Sequence, residues 1–300
     1  MKRTDTFSNV IIWGHKIFSH THSYIHHGFH KAFNYLGHEC HWLDENDDIS
    51  KIDMTNSLFI TEGQVDKNIP LIETAFYILH NCDGNKYSSI PRNNRINLQV
   101  FTLDCTEKYN AKEIPGECGH YLEDCAIISW GTDLLPYEIN KNILFIDKIK
   151  SENEINFVGM PTPPWDTVKE FCDENNLQYK NYGGFNKETS VDCKKNMELI
   201  QKSIVAPSLQ EEWQVANGYI PCRIFKNISY GKMGVTNNPT VQKLFNNKLI
   251  FGSDIKKILQ EGIEFNDKDK LLELMKEVRD KHTYINRINA IFWLINKNYS

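Results

Sequence analysis

No apolar run in this chain reaches the eighteen or so residues a helix needs to cross a bilayer, and the opening stretch MKRTDTFSNVIIWG has no signal-peptide core. A soluble, cytoplasmic protein with no integral membrane segment is therefore expected. The cysteines, at positions 40, 82, 105, 118, 125, 172, 193 and 222, include no CxxC pair, which excludes a zinc ribbon and argues against a disulfide scaffold. Cys118-Gly119-His120 with Cys125, and Cys105 upstream, comes nearest to a metal pattern. It lacks the two short ligand pairs of structural zinc sites, so no metal is expected. Basic blocks are missing too: the net charge is -5 and the lysines are scattered, so no nucleic-acid partner is expected and any anionic ligand is bound locally. There is no low-complexity linker and no internal repeat at the level of residues.

What the chain does contain is core-forming material, 40% hydrophobic and 12% aromatic residues over 300 positions, enough for two units of ordinary size. Short apolar strands are read at 9–13 (NVIIW), 39–43, 57–61, 76–80, 98–103 and 126–129. A helix from 23 to 36 carries Tyr24, Ile25, Phe29, Ala32, Phe33 and Leu36 on one face and closes at Gly37. A second round follows, with strands at 155–159, 177–182 and 203–207 alternating with helices at 165–175 and 196–202. This β-α-β alternation implies parallel sheets covered by helices. The boundary is placed between 149 and 150. Two helices close the chain, 268–282 and 284–297. The second has a broad apolar face of Ile285, Ile288, Ile291, Phe292 and Ile295, suited to packing on a core.

The stretch 218–238, GYIPCRIFKNISYGKMGVTNN, draws most attention. Pro221 stands where a helix begins, Ile224, Phe225 and Ile228 form its apolar stripe, and Gly231 ends it. Residues 234–237 then read as a buried strand, and Asn238-Pro239 caps another helix. A helix N-terminus offers unpaired amides and a positive dipole end. With Arg223 and Lys226 on its first turns it suits a diphosphate. An ordinary surface helix with two solvated basic residues fits the local sequence equally well.

Eight of the eleven histidines fall between His15 and His41. His15, His20 and His22 follow the first strand, where α/β sheets place ligands at the carboxyl ends of strands. A neutral histidine there suits general-base work, and His22, just before the helix, has the best position. Glu62 and Asp104, each closing an expected strand of the same half, either orient it or serve as turn residues. His26 and His30 share a helix face at a spacing that can hold a metal, but no acidic third ligand is evident, and exposed helix histidines are the plainer reading.

Several stretches together resemble GT-B glycosyltransferases: SHTHSYIHHGFHKAFNYLGHE (19–39), WGTDLLP (130–136), INFVGM (155–160), and the run of Pro221, Arg223, Phe225 and Gly231, which is similar to the donor-site helix of that family. The resemblance spans the whole chain. It implies two facing Rossmann-like α/β domains: an acceptor-side domain at 1–149, a nucleotide-sugar domain at 150–282, and a C-terminal helix, 283–300, crossing back to the first.

It further implies transfer of a sugar from a nucleotide-diphosphate sugar to the hydroxyl of a glycan or other acceptor, with no obligatory cofactor. His22 would be the base of an inverting reaction, with His20 or Asp104 as substitutes. Donor contacts would come from Tyr219, Ile220, Pro221, Cys222, Arg223, Lys226 and Asn227. Arg223 and Lys226 would meet the diphosphate, and Tyr219 and Ile220 would flank the nucleobase. Many retaining members carry a pair of glutamates around this helix, whereas the matching positions here are Gly218 and Lys226. Lys226 in that position keeps open a catalytically silent binding module, and a GT-B-like nucleotide-sugar epimerase or hydrolase, using the same donor helix without an acceptor, is the enzymatic alternative.

Overall fold

The computed structural model describes residues 2–16, 21–63, 68–82, 87–100, 109–116, 119–123, 125–184, 186 and 188–298. The chain is α/β and forms two compact units. One comprises Met1–Ile17, His22–Ser129 and Tyr284–Ser300; the other comprises Trp130–Thr283 together with Phe18–Thr21. Against the expected crossing at 149/150, the units part after Ser129. Among the described residues no helix is long and apolar enough to cross a membrane.

The first unit is built on an eight-stranded sheet ordered β2-β1-β3-β4-β5-β8-β7-β6. Its core strands β1 (Val10–Trp13), β2 (Cys40–Leu43), β3 (Leu58–Glu62), β4 (Phe76–His80), β5 (Arg95–Gln99) and β8 (Cys125–Ile127) run parallel. β6 (Lys112–Glu113) and β7 (His120–Leu122) add an antiparallel edge that the sequence reading did not contain. Every residue of β1, β3 and β4 is buried, which is why VIIW, LFITE and FYILH are nearly continuous apolar runs rather than alternations. The strand expected at 98–103 instead begins at Arg95, because Ile96 and Leu98 alternate inward after the turn at Arg92–Asn94. The strand ends at Gln99, and residues 101–103 of the expected span lie outside the described residues.

The Thr21–Tyr35 helix ends in a Schellman cap: the amide of Gly37 (φ +85°) donates to Asn34, and that of His38 to Phe33. Its inner face packs on the Tyr284–Asn298 helix, so the C-terminal helix returns to the first unit. A Cβ on Gly28 would stand 2.3 Å from the Tyr284 ring, so only glycine allows this approach. The Phe29 and Tyr284 rings meet at a tilt with centres 4.6 Å apart, and buried Arg287 donates from Nε to the Ser129 carbonyl at 2.8 Å.

In the second unit, β9 (Glu154–Val158) pairs in parallel with β10 (Gln178–Tyr182). β11 (Pro207–Ser208), β12 (Val235–Thr236) and β13 (Ile250–Phe251) form a parallel set. The strand expected at 203–207 is shorter and later. The Ser203 hydroxyl intercepts the Asn156 amide at 2.9 Å, and the Ile204 amide reaches the Glu154 carbonyl at 2.8 Å, so regular pairing resumes only at Pro207. The helix expected from Pro221 spans Cys222–Ser229, buries Ile224, Phe225 and Ile228, and packs on the Lys268–Lys281 helix. Two further helices, Pro136–Leu144 and Ile255–Glu264, also cover this unit; neither is among the sequence expectations.

Candidate functional site

The carboxyl edge of the β9–β10 pair in the second unit is assembled from two strand ends. After Val158, the last residue of β9, Gly159 adopts φ +143°; after Tyr182, the last residue of β10, Gly183 and Gly184 adopt φ +76° and +68°. L-residues avoid this backbone region. The Gly159 amide donates to the Tyr182 carbonyl at 2.8 Å, tying the two turns together.

Arg223 projects into this edge from the first turn of the Cys222–Ser229 helix. Its Nη2 donates to the Val158 carbonyl at 3.3 Å, and its guanidinium lies 4.3 Å from the Phe157 ring centre and 5.6 Å from that of Trp165. A Cβ on Gly159 would come within 2.9 Å of Nη2. Burial lowers the Arg223 pKa, and a guanidinium starts so high that it keeps its charge. The charge is thus fixed by aromatic stacking beside a stretch of backbone with no side chain.

The second unit also buries polar groups at and after β11. Ser208, the last residue of β11, has a hydroxyl with no protein hydrogen-bond partner among the described residues. The same holds for both amide atoms of Gln210, the Thr240 hydroxyl and the Tyr179 hydroxyl. Ser208 pairs in register with Thr236, and the Asn237 side chain bonds both backbone groups of Gln210, at 2.9 and 2.8 Å, so these loops are pinned side by side. Leaving a buried polar group unpaired costs about 1–3 kcal/mol. Ser208 ends β11, Gln210 follows it, and Thr240 lies in the first turn of the Pro239–Leu244 helix, so these three groups are candidates to meet a hydrogen-bonding ligand. Burial also pushes the Tyr179 hydroxyl up to about 12, opposed by the nearby Arg223 charge.

The residues expected to contact a donor divide accordingly. Arg223 reaches the edge. Lys226 is buried one turn further along the same helix. Asn227 is a packing tie: its amide donates to the Ala206 carbonyl at 2.8 Å, binding the helix to the segment before β11. Ile220 sits in the hydrophobic core with Phe225 and Phe245, and Pro221 is the N-cap. Cys222 is buried, and burial raises its thiol pKa. Tyr219 is half-buried, with its hydroxyl pKa raised by burial, and its carbonyl accepts the Asn238 amide at 2.9 Å. Nothing in the sequence distinguishes Ser208, Gln210 or Thr240, whose significance arises only from burial without partners.

In the first unit, the ends of β1, β3 and β4 gather histidines. Gly14 (φ +90°) and His15 (φ +56°) turn the chain after β1; Glu62 ends β3 and His80 ends β4. His15 Nε2 is 3.2 Å from Glu62 Oε2, and His22 Nε2 is 3.2 Å from His80 Nδ1. His26, far from being an exposed helix histidine, is buried with Nδ1 3.0 Å from the Gly14 carbonyl, and desolvation pushes it down to about 3. His80 is pushed down to about 4 by the same cause. His22 and Glu62 thus come together as the strand ends suggest, and His80, read only as a strand residue, joins them. His20, Asp104, Cys105 and Cys118 lie outside the described residues. His120 and Cys125 pair with Ile127 and Leu122 respectively, at opposite ends of the β7–β8 hairpin.

No protein-family model matches the sequence, and no curated protein does. Among solved structures the chain is similar to an alpha-glucosyltransferase in complex with UDP, at 9% identity and a TM-score of 0.49, over 96% of this chain and 99% of that one.

Proposed function

We propose that the protein is a glycosyltransferase that moves a sugar from a nucleotide-diphosphate sugar to a hydroxyl acceptor. The observation that supports this most is Arg223. A fixed cation stands over aromatic rings at the carboxyl end of β9, beside glycine backbone, and the same unit holds buried amide and hydroxyl groups that have no protein partner among the described residues. Phosphate oxygens match the guanidinium, and the polar heteroatoms of a nucleoside match Ser208, Gln210 and Thr240. The donor-side set is therefore Arg223, Ser208, Gln210 and Thr240, with Lys226 adding charge to the same helix.

In the reaction, the acceptor oxygen bonds to the anomeric carbon as the carbon–oxygen bond to the diphosphate breaks. Negative charge grows on the leaving diphosphate, where Arg223 offsets it. The acceptor hydroxyl gives up its proton to a base, and His22 is assigned that role in an inverting transfer. The alpha-glucosyltransferase to which the chain is similar is described as a complex with UDP, so uridine diphosphate is the first nucleotide to test.

The test is thermal stabilisation by uridine, guanosine, cytidine and thymidine diphosphates, followed by turnover of the matching sugar nucleotides with and without an acceptor. Stabilisation by one nucleotide and product only with acceptor are expected. No stabilisation at millimolar nucleotide would sink the donor site; an altered sugar formed without acceptor would make the protein an epimerase or hydrolase instead.

A further inference from the structure

The histidine cluster of the first unit has a geometry that proton transfer alone does not require. His15, His22 and Glu62 each offer a ligand atom, and these atoms all lie within 4.8 Å of one another. They come from three different chain segments: the turn after β1, the start of the Thr21–Tyr35 helix and the end of β3. A tetrahedral ion with ligand bonds of about 2.0–2.1 Å holds its ligand atoms about 3.3 Å apart. His15 Nε2 and Glu62 Oε2 are 3.2 Å apart.

Glu62 is only 1% exposed and the His15 side chain 7%, so a carboxylate and an imidazole are withdrawn from water together. A buried carboxylate needs a compensating positive charge. His15 holds a left-handed backbone, φ +56°, that a non-glycine residue enters at some cost, and its side chain meets Glu62 from that position.

We propose that His15, His22 and Glu62 form a binding site for a divalent transition-metal ion of the zinc class. Two imidazoles and one carboxylate are a donor set that suits such ions, and three protein ligands leave a position for an exchangeable oxygen. One carboxylate against a divalent ion leaves a net positive site, which favours a bound hydroxide or alkoxide over neutral water. His80, 3.2 Å from His22, steadies that ring, the kind of outer contact that orients a ligating imidazole. The site stands on the first unit alone and does not depend on the transferase reading.

The experiment is calorimetric titration of tag-free, chelator-stripped protein with zinc chloride, alongside the visible absorption of the cobalt(II)-loaded protein. One ion per chain is expected, with a cobalt spectrum of low coordination number that zinc abolishes. His15→Ala and Glu62→Gln should each weaken zinc binding by about a hundredfold or more, whereas His38→Ala, outside the cluster, should leave it unchanged. Should a variant fail to fold, the cobalt spectrum and its displacement by zinc in the unaltered protein still decide the matter. No binding at millimolar zinc, or equal affinity in all three variants, would overturn the site and leave a histidine–carboxylate hydrogen-bond cluster only. Nucleotide stabilisation measured without metal tests the transferase reading separately.

Discussion

The Arg223 guanidinium lies 4.3 Å from the ring centre of Phe157 while its Nη2 donates to the carbonyl of Val158, the next residue in the chain. One side chain is thereby held by two successive residues of β9, and its charge is delivered to the strand end before any ligand arrives. Such pre-organisation reduces the ordering cost of binding.

Arg223→Ala should therefore weaken nucleoside diphosphate binding at least tenfold, through loss of a charge-assisted contact. Arg223→Lys should recover little, because an ammonium cannot stack on Phe157 and fork towards phosphate in the same way. Calorimetry with uridine diphosphate checks both; unchanged affinity removes Arg223 from the site.

Gln210→Met should separate stability from binding. Both amide atoms of Gln210 are buried without protein partners among the described residues, so an apolar side chain of similar size should raise the stability of the free protein by about 1 kcal/mol while nucleotide affinity falls. Urea denaturation and nucleotide titration on the same preparation read the two effects. A loss of stability would show that the amide is paired in solution.

His22→Ala should lower turnover about a hundredfold or more while leaving nucleotide affinity nearly intact, because it removes proton acceptance or metal ligation but none of the groups assigned to the nucleotide. Equal turnover in variant and parent would take His22 out of the chemistry.

Gly28→Ala should destabilise the first unit by about 1–3 kcal/mol, since the added Cβ would meet the Tyr284 ring at 2.3 Å. Denaturant midpoints measure this. Combining it with Tyr284→Leu should give less than the sum of the two single losses, because the clash is with that ring.

Lys232 gives a pH signature. It is buried, its ammonium donates to the Ser151 hydroxyl at 2.8 Å and to the Ser203 carbonyl, and desolvation lowers its pKa to about 8. The unfolded lysine titrates near 10.4. Between these values the unfolded chain holds the proton that the folded one has shed, so Lys232 makes stability rise with pH from about 8 to about 10.4. Below about 8 both forms are charged and the full penalty, of order 2–3 kcal/mol, applies. Lys232→Met should flatten that slope in denaturation curves taken across the window; an unchanged slope assigns it to other groups.

Where a signal is local, sequence suffices. The helix after Pro221 appears as read because a fixed proline φ, an apolar stripe at Ile224, Phe225 and Ile228, and the glycine at 231 all act within a few residues. The same holds for the Gly37 cap and for the fully buried strands β1, β3 and β4. Local pattern fails where a side chain replaces a ladder bond, as Ser203 does opposite Asn156, and where an edge hairpin is two or three residues long, as β6 and β7 are. Ile220 and Asn227 show the limit for site residues. Proximity to a helix N-terminus cannot say which way a side chain turns, and these two turn into the core and onto the Ala206 carbonyl.

By itself, then, the sequence determined the α/β class, the two-part organisation, the placement of Glu62 at a strand end and of Arg223 on a helix start, because apolar periodicity and turn residues are properties of neighbouring positions. Only the tertiary structure decided that His15 meets Glu62, that His80 joins His22, and that Gln210, Ser208 and Thr240 are buried without hydrogen-bond partners among the described residues. Those facts depend on which parallel strands lie side by side. Parallel order is set by packing between segments far apart in the chain, and no single segment carries it.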